Sequence, residues 1–431
     1  MSAYAAFLAQ KRRMAPSVGL HADADLPAVL FPWQRSIVRW ALKKGRAAIF
    51  ADCGLGKTFM QLAWAEALGG RTLILAPLCV AEQTVAEGQK IGLRVRYATR
   101  EALATSARLV ITNYERLDDF DLAGYDAVVL DESSILKAFD GATRTKLIHA
   151  CRAVPYRLCC TATPSPNDIS ELANHAEFLG LMTRAEFLAT WFVHDDEGWR
   201  MKGHAVQPFY RWLASWAVAF RKPSDLGYDD TGFVLPPLTI QDHILPIDGP
   251  MGDSLFPEMG GVGLKGRLSA RRASLEARVS AAADLSVRAG QWLFWCGLNS
   301  ESEALSQAID GAVQVSGDDD YETKVEAVRG FTDGAIRSLV SKVRILGYGL
   351  NFQCCAQAAF VGLGDSYEQY YQAIRRCWRF GQTRPVTAHV IISEAERVVV
   401  ENVRRKEAAA TDLSRSLVEH MRDFEREELA S

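Results

Sequence analysis

Two tandem α/β lobes, each built on a parallel sheet, are the architecture this sequence predicts, and three observations predict it. Short apolar runs rich in β-branched residues alternate with amphipathic helical stretches from Arg46 onward, and the alternation resumes after Gly290. A glycine-rich turn, Ala51-Asp-Cys-Gly-Leu-Gly-Lys-Thr58, stands between the first apolar run and the helix that follows it. The chain has 431 residues of 48% hydrophobic composition, enough for two or three globular domains with real cores at a prior of about 150 residues each.

Taken in order, Phe31-Pro-Trp-Gln34 precedes a helical pattern over 36–42. Residues 47–51, 72–76, 109–112, 127–131 and 158–161 read as buried strands, being short apolar runs bounded by polar residues or glycine. Helical stretches between them imply right-handed crossovers and hence parallel pairing. Trp191, Trp199, Trp212 and Trp216 follow, and the helical spacing over 212–220 predicts a core-facing helix. Residues 249–266, rich in glycine and containing Pro250 and Pro257, suit a hinge, a flexible insertion or a surface loop. In the second half, 291–296, 338–341, 358–362 and 386–392 are the candidate strands, and 394–431, rich in Arg, Lys and Glu, reads as an exposed helix that stays solvated, packs back on a lobe or docks a partner, solvation being the plainer expectation. The expected division is an extension over 1–27, a first lobe over 28–225, a connector over 226–285, a second lobe over 286–395 and a terminal helix over 396–431.

Formal net charge is −3, so no global basic field advertises a nucleic-acid partner, and any contact with a phosphate backbone must come from local clusters. Nine cysteines occur without a C-x-x-C pair, and the doublets Cys159-Cys160 and Cys354-Cys355 lie in apolar runs where thiols pack as small hydrophobes. Lys11, Arg12 and Arg13 follow the first apolar residues instead of preceding them, and no apolar run approaches ~18 residues. A reducing cytoplasm and no membrane partner are expected.

The 51–58 turn is a phosphate loop in its proper context, a strand before and a helix after, where backbone N–H groups and the helix dipole favour an anion. Gly54, Leu55 and Gly56 bring the main chain close, Lys57 is placed to reach the β- and γ-phosphates, and the Thr58 hydroxyl to hold Mg2+. Ala51 stands where the strict pattern has its first glycine. The run Ala127-Val-Val-Leu-Asp-Glu132 supplies acids at a strand end: Asp131 for the metal and Glu132 to activate water, with Ser133 and Ser134 as helix-cap candidates. Thr161 and Thr163 end another strand before Pro164, a place for hydroxyls that sense those acids or simply make a turn. Gln34 offers a bidentate amide for adenine. Far downstream, Gln372-Ala-Ile-Arg-Arg-Cys-Trp-Arg-Phe-Gly-Gln382 places Arg376 and Arg379 on a helix of the second half, cations for a γ-phosphate.

Together these segments resemble superfamily 2 helicases, specifically the Swi/Snf-type translocase branch, over Leu30 to about Ser393. Phe31-Pro-Trp-Gln34 is similar to the Q motif, 51–58 to motif I, 73–77 to motif Ia, Asp131-Glu-Ser-Ser134 to motif II, Thr161-Ala-Thr-Pro164 to motif III and 372–382 to motif VI. Residues 167–177, 221–227 and 235–238 are similar to the way such translocases leave the first lobe. Ser341-Lys342 and 347–353 resemble motif V. Motif II departs from the family in reading DESS, and Arg375 stands where an acid is common. The compact form resembles helicases of bacteriophages and prophages.

The resemblance implies RecA-like lobes with an ATP cleft between them, ATP and Mg2+ as cofactors, and a motor that closes and opens on nucleic acid, duplex DNA above all, in a bacterial or phage-infected cell. Replication or recombination proteins are the expected protein partners. Gly349, Asn351 and Gln372 join Thr161 and Thr163 as coupling residues, and Pro77, Thr112, Asn113, Lys137, Asn299 and Lys342 are the candidate nucleic-acid contacts. Two rivals stand beside this reading. One is a strand-separating DNA or RNA helicase, for which the turn at Asp195-Asp-Glu-Gly-Trp199 is the candidate wedge; the other is an ATP-switched protein assembly factor.

Overall fold

The computed structural model describes residues 14–20, 24–77, 80–137, 141–166, 168–195, 198–246, 271–347 and 350–430. It divides into two compact units, Met1–Phe233 with Ala409–Ser431, and Val234–Ala408. The 249–266 stretch and Gly349 lie outside the described residues.

The first unit is built on a seven-stranded sheet. Its strands are β1 (Arg46–Ala51), β2 (Thr72–Ala76), β3 (Val95–Tyr97), β4 (Leu109–Asn113), β5 (Ala127–Asp131), β6 (Tyr156–Thr161) and, after a separate hairpin of β7 (Phe192–Asp195) and β8 (Gly198–Met201), β9 (Ala217–Phe220). The order is β3-β4-β2-β5-β6-β1-β9, and every pairing in it is parallel. Strand residues alternate between two cores, as burial on both faces requires. Ala48, Phe50, Val128, Leu130 and Cys159 point to one, Ile49, Ala51, Ala127, Val129 and Cys160 to the other. The two thiols thus act as small apolar side chains, and none of the described cysteines is in a disulfide.

Three of the tryptophans, Trp191, Trp212 and Trp216, are core residues stacked edge-on with Phe50, Phe187 and Phe209. Trp199 instead sits on the hairpin, 37% exposed against His194. The helix expected through 212–220 is a correction: it ends with Val206–Ala214, and β9 begins at Ala217. The Ala-Val-Ala-Phe run pairs with β1, and sheet pairing outweighs a helical spacing of only two turns.

The second unit carries a six-stranded sheet in the order β10-β15-β14-β11-β13-β12, parallel throughout. Its strands are β10 (Leu238–Leu245), β11 (Trp292–Cys296), β12 (Ala312–Val315), β13 (Ser338–Lys342), β14 (Gln357–Val361) and β15 (Val386–Ser393). Trp292, Phe294, Val340, Ala359 and Ile391 form one face of its core.

The chain closes in a helix over Arg397–Ala430. Of the readings open for this helix, full solvation is corrected here, and packing against a lobe holds for its last turns. Leu417, Met421 and Glu425, one turn apart, are buried in the first unit, a narrow stripe hidden in a charged sequence. Glu425 Oε1 accepts the outward-facing N–H of Ala219 on edge strand β9 at 2.6 Å, and Lys44 pairs with Glu428 at 2.6 Å. Among the described residues, no helix is long and apolar enough to cross a membrane.

Candidate nucleotide-binding site

Parallel α/β sheets present their functional groups at the carboxyl ends of their strands. In the first unit, β5, β6 and β1 are neighbours, and their ends bring Asp131, Thr161 and the 51–58 loop to one edge. The loop turns on Gly54 and Gly56, whose φ angles of 86° and 72° exclude most side chains, and opens the helix Lys57–Leu68 with Thr58 in its first turn. A Cβ on Gly56 would lie 2.4 Å from Gln34 Nε2. Gln34 is buried, accepting from Phe31 N at 3.0 Å and donating to Leu55 O at 3.1 Å. It therefore braces the loop. Lys57 Nζ folds back onto the carbonyls of Ala51 at 2.8 Å and Asp52 at 3.2 Å.

The acid pair sits in an unusual setting. Tyr114 Oη donates to the Asp131 carbonyl at 2.7 Å and anchors the strand end. Glu132 has φ 59°, the one positive value recorded for a non-glycine residue among those described, a strained conformation of the kind held at functional sites. Its Oε1 accepts from Thr161 Oγ1 at 2.9 Å, and Thr161 Oγ1 also receives the Thr163 N–H at 3.1 Å. Ser133 is not a helix cap; its hydroxyl meets Nε2 of the buried His175 at 3.1 Å. Burial, then the neighbouring Glu132 carboxylate, push the Asp131 carboxyl up to about 7, against the opposing pull of Lys57. Gln61, fully buried on the loop's helix, lies close enough to lower that pKa, although neither of its amide atoms has a well-formed hydrogen bond. Sequence reading missed Gln61; its place one turn after Lys57 was the available signal.

These residues fit a nucleotide with a hard divalent cation. Gly54 and Gly56 give the loop the left-handed turns that a phosphate cradle needs, and a hydroxyl and a carboxylate supply the oxygen donors that Mg2+ prefers.

In the second unit, Arg376 and Arg379 converge on one carbonyl. Arg376 Nη1 and Arg379 Nη1 both donate to Leu350 O, at 2.9 and 3.3 Å, while Arg376 also binds Gln372 Oε1 at 2.7 Å and Gln372 O at 3.0 Å. The helix Tyr367–Cys377 and the 350–353 loop, including Asn351, are thereby tied together, and Gln382 Nε2 adds bonds to Gln353 O and Cys355 O. Arg375 is buried with its guanidinium 4.8 Å over Trp378 and 5.6 Å from Tyr371, which explains how a cation is accommodated there.

Of the candidate nucleic-acid contacts, Thr112 is corrected: it is fully buried on β4 and touches no surface. Asn113 is also buried, its Nδ2 held by Glu115 Oε2 at 2.7 Å. Pro77 follows β2, and Lys137 ends a short 3-10 helix over Ser133–Lys137, its pKa lowered chiefly by burial. In the second unit, Lys342 Nζ donates to the exposed Asn299 Oδ1.

Residues 287–381 match the family model described as the helicase conserved C-terminal domain. No curated protein matches the sequence significantly. The chain is similar to a solved structure described as the Sulfolobus solfataricus SWI2/SNF2 ATPase core in complex with dsDNA, with 15% identity and a TM-score of 0.44 over 93% of this chain and 99% of that one. The residues matched by the helicase C-terminal domain model lie within the second unit and include Arg376 and Arg379.

Proposed function

We propose that this chain is a Swi/Snf-type motor that hydrolyses ATP with Mg2+ and moves along duplex DNA. The observation that carries the reading is the convergence of the phosphate loop, the acid pair and Thr161 at three adjacent strand ends, with Thr161 bonded to Glu132. N–H groups of Gly54 to Thr58 wrap the phosphates, and Lys57 exchanges its loop carbonyls for phosphate oxygens. Thr58 and Asp131 hold Mg2+, which neutralises phosphate charge when bound. Glu132, fixed by its strained backbone and by Thr161, orients the attacking water and takes its proton. Arg376 and Arg379, leaving the Leu350 carbonyl, supply the cations that stabilise charge on the transferring phosphoryl group. Their release from the 350–353 loop links hydrolysis to the segment expected to grip the phosphate backbone, so closure and opening of the lobes advance the motor.

ATP turnover measured with duplex DNA, single strands and RNA tests the reading. Duplex should stimulate most, and Lys57→Ala should abolish turnover in every case. Stimulation by none of them would favour a nucleotide switch acting on a protein partner instead. The β7–β8 hairpin, with Trp199 exposed near its turn, is the one observation favouring strand separation. Unwinding of a forked duplex that disappears in Trp199→Ala would establish that second reading.

A further inference from the structure

Outside the nucleotide site, the second unit contains a buried quartet of charges at the carboxyl edge of its sheet. Glu301 is fully buried and accepts five donors: Arg271 Nε, Arg271 Nη2 at 2.7 Å, Arg278 Nη1 at 2.8 Å, and the backbone N–H groups of Gly297 and Leu298, each at 2.9 Å. Arg271 also donates to Leu363 O at 3.3 Å, and Arg271 and Arg278 each lie 3.7 Å from Glu396, which receives Ser393 N at 3.0 Å and Ser393 Oγ at 2.9 Å. One carboxylate and one guanidinium thus join the chain just beyond β11, β14 and β15. The fit is close: a Cβ on Gly297 or on Gly362 would meet Arg271 Nη2 at 2.4 Å.

Stability does not explain such a cluster. Removing four charges from water costs several kcal/mol each, and apolar residues of equal volume often hold a core as well or better. What the quartet provides is position. Gly297 and Leu298, pinned through their N–H groups, lead directly into Asn299, whose amide oxygen meets Lys342 at the end of β13, the neighbour of β11. Asn299 is exposed, and the two side chains present a donor and a cation side by side at the strand ends.

We propose that Glu301, with Arg271 and Arg278, is the positioning group for a phosphate-binding rim made by Asn299 and Lys342, and that its ligand is the phosphodiester backbone of the nucleic acid. The proposal rests on the motor reading. The quartet fixes where a backbone phosphate is met; it does not touch the phosphate.

The test uses the full-length protein and a fluorescent duplex of random sequence, with ATP turnover followed in parallel. Lys342→Ala should raise the duplex concentration giving half-maximal stimulation by about tenfold and lower the log–log salt slope of binding by roughly one phosphate contact. Glu301→Gln should do the same while the KM for ATP and the maximal rate hold, and the double variant should be no worse than either single one. Gly297→Ala keeps every charge but displaces Arg271, so it should share the phenotype if Glu301→Gln fails to fold. Unchanged half-saturation and salt slope in Lys342→Ala, or in a folded Glu301→Gln or Gly297→Ala, would overturn the proposal while leaving the motor reading intact. Equal losses in ATP and duplex parameters would overturn it too, as the mark of a merely structural quartet. A wild-type protein that neither binds nor responds to nucleic acid would instead bring down the motor reading, and the rim with it.

Discussion

Asp131→Asn should make the nucleotide-free protein more stable in mild alkali. The carboxyl is 7% exposed, and burial, reinforced by Glu132, pushes it up to about 7. A group whose pKa is higher in the folded state stabilises the fold fully below its unfolded value and loses that contribution as pH rises through the folded value. The window therefore runs from about pH 4 to pH 7, and at pH 8 the ionised carboxylate costs the fold roughly 4 kcal/mol, a ceiling because Lys57 can move toward the charge. Asn keeps the shape and removes the ionisation. Urea denaturation of both proteins, without nucleotide or Mg2+, should show the variant's advantage widening by about 2 to 3 kcal/mol between pH 5 and pH 8. Buried His175 and His389, held down to about 3 and about 4 by burial, act in the opposite sense, losing stability as pH falls below the ordinary imidazole value. They are present in both proteins and cancel in the difference. A gap that stays constant with pH, or a variant weaker than the parent at pH 8, would refute the argument that burial holds this acid against its own charge.

Arg379→Ala should leave ATP affinity nearly intact and cut hydrolysis by roughly 10³, read by nucleotide binding and turnover on one preparation. Thr161→Val removes the 2.9 Å bond to Glu132, and stimulation by nucleic acid should fall about tenfold while basal ATP binding holds; an unchanged ratio of stimulated to basal rate would end its coupling role. Glu425→Ala leaves the Ala219 N–H without its acceptor and should cost about 1 to 3 kcal/mol in urea denaturation. Glu425→Gln should be far milder and should gain on the parent as pH rises, because burial holds the Glu425 pKa well above the ordinary value and the parent's contribution fades upward through it.

The layout of the first unit's candidate site was legible because its strands are central. Residues 72–76 and 127–131 were placed to the residue, and the loop, the acids and Thr161 all sit at the ends of such strands. The sheet strands that escaped are β3, β9, β10 and β12, and each lies at an edge of its sheet. An edge strand pairs on one side and needs no continuous apolar run. β10 is half-exposed along its whole length, β3 has three residues, and the apolar β9 was absorbed into a neighbouring helical pattern. The Arg271–Glu301–Arg278 cluster was invisible for a different reason. Charged residues on helices ordinarily face water, and only the tertiary arrangement shows these facing inward.

The bond between Glu425 and Ala219 also bears on how the chain is made. The sheet begun by β1 has its outermost strand guarded by a side chain that leaves the ribosome only after residues 234–408 have been synthesised. At ordinary elongation rates that delay is about 10 to 40 s, during which the amide of Ala219 and the apolar bed of Leu417 and Met421 stay open to other nascent chains. That margin is completed only when the last helical turns arrive.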